Sequence, residues 1–236
     1  GMVVTMKRIL VVEDEAAIRE FVVINLKRAG YETTEADCGE RALEILEHDG
    51  DYQVILLDIM MPGMDGLSVC KQVRAQNSKI GIIMLSAKTQ EMDKVSALMM
   101  GADDYMTKPF SPSELVARVD SLNRRVEMLS NKAPGASDKM ILGEFTLDLR
   151  RRILQKNGKA IELTPVEFQI TEYLFSNPDV PLDRTDILKR VWGDSYIGEE
   201  KIVDVNIRRL RMKVEDDPSV PRHLLTVWGR GYKWVE

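Results

Sequence analysis

The feature that most constrains the fold of this 236-residue chain is the alternation, through its first half, of short aliphatic runs with helical patterns. KRILVV, YETTEA, QVILLD, IGIIMLS and DDYMTK read as strands. Helical stretches run from about Glu15 to Ala29, through ALEILE, LSVCKQVRAQ and KVSALMM, and from Pro112 to about Leu129. Repeated strand-then-helix order demands right-handed crossovers, which predicts a doubly wound (βα)5 parallel sheet with helices on both faces. VVE, VILLD and IIMLS lack polar alternation, as strands buried on both faces do. The carboxyl ends of such strands frame the ligand crevice.

Charged and polar residues fall at those ends. Glu13 and Asp14 follow the first strand, and Asp58 ends the third, in VILLDIMMPGMDG. Three carboxylates at one sheet edge repel one another, and a hard divalent cation with oxygen ligands is the usual resolution; Mg²⁺ fits best. Ser86 follows IIML and Lys108 follows YMT. A hydroxyl and an ammonium facing a cation-bound carboxylate would surround an anion, the implied one being a phosphoryl group on Asp58. Taken singly, each residue has an ordinary explanation: a polar loop, a turn serine, a solvated lysine. Their joint occurrence at four strand ends, in this order, is what points to aspartyl phosphate chemistry.

With 44% hydrophobic and 30% charged residues the chain reads as globular, and no apolar run approaches the length of a membrane span. GMVVTMKRILVV lacks the regions of a signal peptide, so a cytoplasmic protein is expected, with Gly1 read as a cloning remnant before a start at Met2 or Met6. Cys38 and Cys70, with His48 and His223 the only histidines, do not make a zinc set, and reduced thiols are expected. The net charge of −5 is unevenly distributed. Residues 1–127 hold 15 Lys and Arg against 21 Asp and Glu, whereas 128–236 hold 18 against 17.

NKAPGASDK, Asn131 to Lys139, breaks the alternation and reads as a flexible linker between a first domain, 1–130, and a second, 140–236. Beyond it, LGEFTLDLRRRILQKNGKAIEL suggests antiparallel strands, with Asn157-Gly158 a hairpin turn. Thr164, Pro165 and Glu167 form a capping-box signature for a helix that stops before Pro178. A second helix starts after Asp183, a third runs from about Glu199 to Glu215, and a hairpin turns at Gly229 to Gly231. Strands, three helices and a closing hairpin describe an α+β winged helix-turn-helix. In the third helix Val203, Ile207, Leu210 and Val214 form an apolar stripe. Lys201, Val205, Asn206, Arg208, Arg209 and Lys213 are then expected to lie away from it, with Arg211 near its edge, a basic face suited to the major groove.

VVEDE, LLDIMMPGMDG, LSA and DDYMTKPF, with LTPVEF, VDVNIRRLRMK and TVWGRGY, resemble the two-component response regulators of the OmpR/PhoB family over nearly the whole chain. The resemblance implies that Asp58 accepts a phosphoryl group from a sensor histidine kinase. It implies that Glu13, Asp14, Asp58 and the Met60 carbonyl hold Mg²⁺, and that Lys108, before a cis bond to Pro109, contacts the phosphoryl group. Ser86 and Tyr105 would act as switch residues. It further implies a homodimer on phosphorylation, through pairs drawn from Lys94 with Glu114 and Asp103 or Asp104 with Arg118, around an apolar patch of Leu98, Val95 and Ala117. DNA contacts would come from Lys201, Val205, Asn206, Arg208, Arg209 and Arg211 on the recognition helix and from Thr226 and Arg230 on the wing, on tandem half-sites of double-stranded DNA. RNA polymerase is a further implied partner, and no membrane is. Trp228 stands where many relatives carry Arg, with packing beside Tyr232 as its alternative role.

Two rivals remain. A phosphohydrolase using Asp58 as nucleophile is expected to carry a second acid two residues on, where this chain has Met60, and it leaves the second domain unused. A regulator that works without phosphorylation leaves the acidic site unused.

Overall fold

The structure, a computed structural model, describes residues 7–87, 91–130, 138–196 and 198–236. It divides into two compact units, Gly1–Asn123 and Arg124–Glu236. Residues 131–137 of the anticipated linker lie outside the described residues, and Lys139 opens a strand.

The first unit contains β1 (Arg8–Val12), α1 (Ala16–Arg28), β2 (Glu32–Ala36), α2 (Gly39–His48), β3 (Val54–Asp58), α3 (Gly66–Gln76), β4 (Gly81–Ala87), α4 (Glu91–Met100) and β5 (Asp104–Lys108); α5 (Pro112–Ser130) follows. The strands form one parallel sheet in the order β2-β1-β3-β4-β5. The order reverses between β1 and β3, and there the ends of neighbouring strands diverge to leave a crevice. Val12 pairs with Leu57, which sets Glu13 beside Asp58. Every residue of β3 is buried, so the aliphatic run holds its terminal aspartate on a rigid support. Edge strand β2, ETTEA, is mostly polar, as an edge that must not recruit another strand should be.

Arg74 braces the opposite end of the sheet. Its guanidinium donates to the carbonyls of Asn77, Ser78, Ile80 and Gly101, and to Asp103 Oδ2 at 2.7 Å. Asp103 also accepts from the Ile82 amide at 2.8 Å and has no exposed surface.

The second unit carries a four-stranded antiparallel sheet, β6 (Lys139–Leu142), β7 (Phe145–Asp148), β8 (Ile153–Lys156) and β9 (Lys159–Glu162), in sequence order. Asn157 and Gly158 both take positive φ, 51° and 80°, as a two-residue primed turn requires. Helices α6 (Pro165–Ser176), α7 (Arg184–Trp192) and α8 (Lys201–Val214) precede the hairpin β10 (Leu224–Val227) and β11 (Gly231–Trp234). The capping box at Thr164 is formed in both directions, and Asp183 caps α7 through the Thr185 amide. Phe145, Phe175 and Trp234 pack with ring centroids 4.8–5.0 Å apart at the centre of this unit.

The loop after Asp58 folds back so tightly that a Cβ on Gly66 would lie 2.1 Å from the Asp58 carbonyl oxygen. Gly66→Ala should therefore displace the loop and lower stability by roughly 2 kcal/mol or more. A urea-denaturation midpoint equal to that of the wild type would show that the loop yields freely.

Candidate functional site

Glu13 and Asp58 are buried, and Asp14 is half-buried beside them. One carboxylate oxygen from each lies within 4.8 Å of the others. Lys108, at the end of β5, reaches across with Nζ 3.1 Å from Glu13 Oε1 and 3.2 Å from Asp58 Oδ2. One ammonium does not neutralise two buried carboxylates, and the electrostatics register the deficit. Burial, then a shared hydrogen bond with Asp58 and its charge, push the Glu13 carboxyl up to about 8. Burial also raises Asp58, against the opposing pull of its hydrogen bond with Glu13 and of Lys108. Burial would lower Lys108, but the charges of Asp58 and Glu13 outweigh it and hold the ammonium above its ordinary value.

Ser86 Oγ is buried and has no hydrogen-bond partner among the described residues. The Met60 amide donates to Asp58 Oδ1 at 3.3 Å, while the Met60 side chain is exposed. The Lys108–Pro109 bond is cis. Tyr105 is half-buried, with Lys94 Nζ 5.3 Å from its ring centroid. Sequence reasoning missed Glu40, whose Oε1 accepts from the Met64 amide at 3.1 Å and ties the loop after Asp58 to α2. Its acid sits in the first turn of α2 with no pattern to mark it.

Residues 9–120 match the family model for the response regulator receiver domain, and residues 158–234 match that for the C-terminal domain of transcriptional regulatory proteins. Sensory transduction protein RegX3 of Mycolicibacterium smegmatis is 42% identical over 97% of this chain and 99% of its own. RegX3 of Mycobacterium tuberculosis is 41% identical over the same shares. The chain is a response regulator of the OmpR/PhoB type. Among solved structures, response regulator DrrB of Thermotoga maritima, an OmpR/PhoB homologue, is 29% identical with a TM-score of 0.50, covering 98% of this chain and all of its own. A RitR mutant shares the fold at a TM-score of 0.78 and 24% identity, covering 97% of this chain and 98% of its own.

The α8 surface of this response regulator departs from the expected one. Arg208 is exposed and Lys201 partly so, but Val205 is buried, and Asn206 and Arg209 turn inward. Asn206 has no exposed surface and donates to the Ile202 carbonyl of its own helix at 2.9 Å. Arg209, 5% exposed, donates to Glu167 Oε2 at 3.0 Å and to Thr164 Oγ1 at 3.1 Å. Lys213 Nζ reaches the other Glu167 oxygen at 2.5 Å. Asn206, Arg209 and Val205, expected to lie away from the apolar stripe, are instead buried, Asn206 and Arg209 with partners inside the unit. Arg211 donates to the Leu224 carbonyl and to Thr226 Oγ1, both at 2.9 Å, and so fastens the hairpin to α8. Arg230 is exposed. Trp228 is 91% exposed, which excludes packing beside Tyr232 as its role.

The expected dimer face needs three corrections as well, the first being that Lys94 is buried, with its ammonium over the Tyr105 ring. Asp103 is internal, held by Arg74, and Leu98 is buried in the core. Asp104 does meet Arg118, at 3.1 Å, and Glu114 meets Arg118 at 3.2 Å, both within one chain.

Burial would raise the Glu167 carboxyl, but the charges of Arg209 and Lys213 prevail and hold it at about 2. Because the folded value lies below the ordinary 4.5, the stabilisation is whole above 4.5 and is lost as pH falls toward 2. At about 1.4 kcal/mol per unit the amount is on the order of 3 kcal/mol. Glu167→Gln should weaken the second unit at neutral pH, where Arg209 loses its counter-charge, and should flatten its acid unfolding between those pH values. An unaltered acid limb in circular dichroism would contradict this assignment.

Proposed function

We propose that Asp58 is the phosphoacceptor, that a sensor histidine kinase supplies the phosphoryl group, and that the modification controls how the second unit binds double-stranded DNA. The observation that carries this reading is the buried Asp58 carboxylate bridged to Lys108 and flanked by Glu13 and Asp14. The set is anionic and all oxygen, the preference of Mg²⁺, and its charge deficit is of the sign a dication removes. Glu13, Asp14, Asp58 and the Met60 carbonyl would hold that ion, which when bound neutralises charge on a transferring phosphoryl group. Lys108 would pair with the phosphoryl oxygens, and the unpartnered Ser86 hydroxyl would donate to one of them. Tyr105 would follow Ser86 inward. The chain would catalyse at most its own phosphorylation and dephosphorylation. The hydrolase reading gains nothing, since the exposed Met60 side chain stands where its second acid belongs.

With Mg²⁺ and acetyl phosphate, the wild type should gain one phosphoryl group by mass spectrometry and move from monomer to dimer in sedimentation velocity. Asp58→Ala should do neither. Modification that persists in Asp58→Ala places the acceptor elsewhere, and modification without dimerisation removes the receiver pairing through Lys94, Asp104, Glu114 and Arg118.

We infer that the outward part of the DNA surface comprises Lys201 and Arg208 on α8, Arg230 on the wing, and the Arg211–Thr226 link between them. Two linked domains on tandem half-sites gain avidity through raised effective concentration. RNA polymerase is the expected partner at the bound promoter. Arg208→Ala should reduce the slope of log K against log salt by about 0.9, the share of one phosphate contact, on duplexes that the wild type selects from random DNA. Arg209→Ala should act through domain stability instead. An unchanged slope in Arg208→Ala rules that contact out.

A further inference from the structure

The chain has three tryptophans. Trp192 and Trp234 are 5% and 0% exposed, whereas Trp228 is 91% exposed at the hairpin tip. An isolated exposed aliphatic residue needs no explanation, but a nearly bare indole withholds one of the largest apolar side chains from any protein contact. It does so at a fixed place. The Arg230 amide donates to the Val227 carbonyl at 2.9 Å, closing a tight turn with Trp228 and Gly229 at its apex. Two residues before Trp228, Thr226 is bonded to Arg211 of α8; two residues after it stands the exposed Arg230. The indole is thus displayed beside a cation, on a hairpin tied to the helix that carries Arg208.

We propose that Trp228 is an aromatic wedge for duplex DNA, its ring entering the minor groove and stacking on sugar and base faces beside an Arg230–phosphate contact. The proposal rests on the DNA-binding reading above. Groove dimensions favour it: the major groove admits a helix, while the narrower minor groove admits a tight turn with a flat ring. Apolar wedges that enter the minor groove part base steps and bend the duplex, and stacking tolerates sequence because every base has a π face. Trp228 would accordingly add affinity and bend, with little choice among bases beyond a preference for easily unstacked pyrimidine–purine steps.

The test uses the full chain, phosphorylated with acetyl phosphate, and the duplex pool that the wild type selects from random-sequence DNA. The difference in fluorescence between wild type and Trp228→Phe isolates the exposed indole. On DNA its emission should be quenched and its access to acrylamide lost. Trp228→Ala should bind roughly tenfold more weakly, as loss of one stacking contact implies, and bend the duplex less by end-to-end energy transfer. Trp228→Phe should recover most of both. The position is exposed, so each variant should unfold at the wild-type midpoint, which circular dichroism checks. If Trp228 stays open to acrylamide on bound DNA and Trp228→Ala binds as the wild type does, the wedge is overturned while DNA binding stands. If the indole becomes protected only when RNA polymerase is added, the wedge is overturned in favour of a protein contact. If Arg208→Ala and Arg230→Ala also leave binding unchanged, the DNA surface itself is misassigned.

Discussion

The constraint on which the first unit depends is the burial of two carboxylates, Glu13 and Asp58, against one ammonium, Lys108. Charged groups taken out of water need compensation, and a single lysine supplies only part of it. The surrounding structure keeps the shortfall from relaxing away. β3 is buried at every residue, Gly66 packs directly on the Asp58 carbonyl, and Glu40 pins the loop that follows. The carboxylates cannot turn toward solvent, so the deficit appears as a Glu13 carboxyl raised to about 8. A site that sheds charge by holding a proton is one whose protonation a cation or a covalent phosphoryl group can reset.

Glu167 in the second unit is the instructive contrast. It is equally buried, yet its carboxyl lies at about 2, because Arg209 and Lys213 bring two cations and the Thr164 amide adds a donor. Burial is common to both sites; the balance of neighbouring charge differs. Where the balance is met, the acid is structural, and it fixes α6 against α8. Where it is left short, the acid would be available for the chemistry proposed for it.

The same distinction explains how much was legible in sequence. Asp58, Glu13, Asp14, Ser86 and Lys108 could be placed together because strand ends are set by a short period and all five sit at one edge. The helix face was less legible. A stripe through Val203, Ile207, Leu210 and Val214 leaves Asn206 and Arg209 on its flank, and whether the flank is buried depends on what α6 offers 42 residues away. Glu167 was visible as a capping residue; that its second oxygen demanded a guanidinium was not. Asp103 and Asp104 make the same point. Asp103 lies just before β5 and Asp104 opens it; both are buried, and only the tertiary partners, Arg74 for one and Arg118 for the other, reveal what each holds in place.

Moving Arg209 and Asn206 to the interior changes the energetics expected of the DNA-binding unit. Fewer outward cations mean fewer phosphates neutralised, and each one lost makes a single unit's affinity weaker and less dependent on salt. On the proposed reading such a domain would hold DNA poorly alone, which suits a switch. If one copy bound tightly, pairing two receivers would add occupancy where little was lacking. With each copy weak and the receivers paired as proposed, the raised effective concentration of the second site would determine whether DNA is held at all. An aromatic contact at the wing tip fits this balance, because stacking adds affinity without adding charge. Because stacking tolerates sequence, it would add a similar increment to each unit on any duplex, and a paired state would count that increment twice.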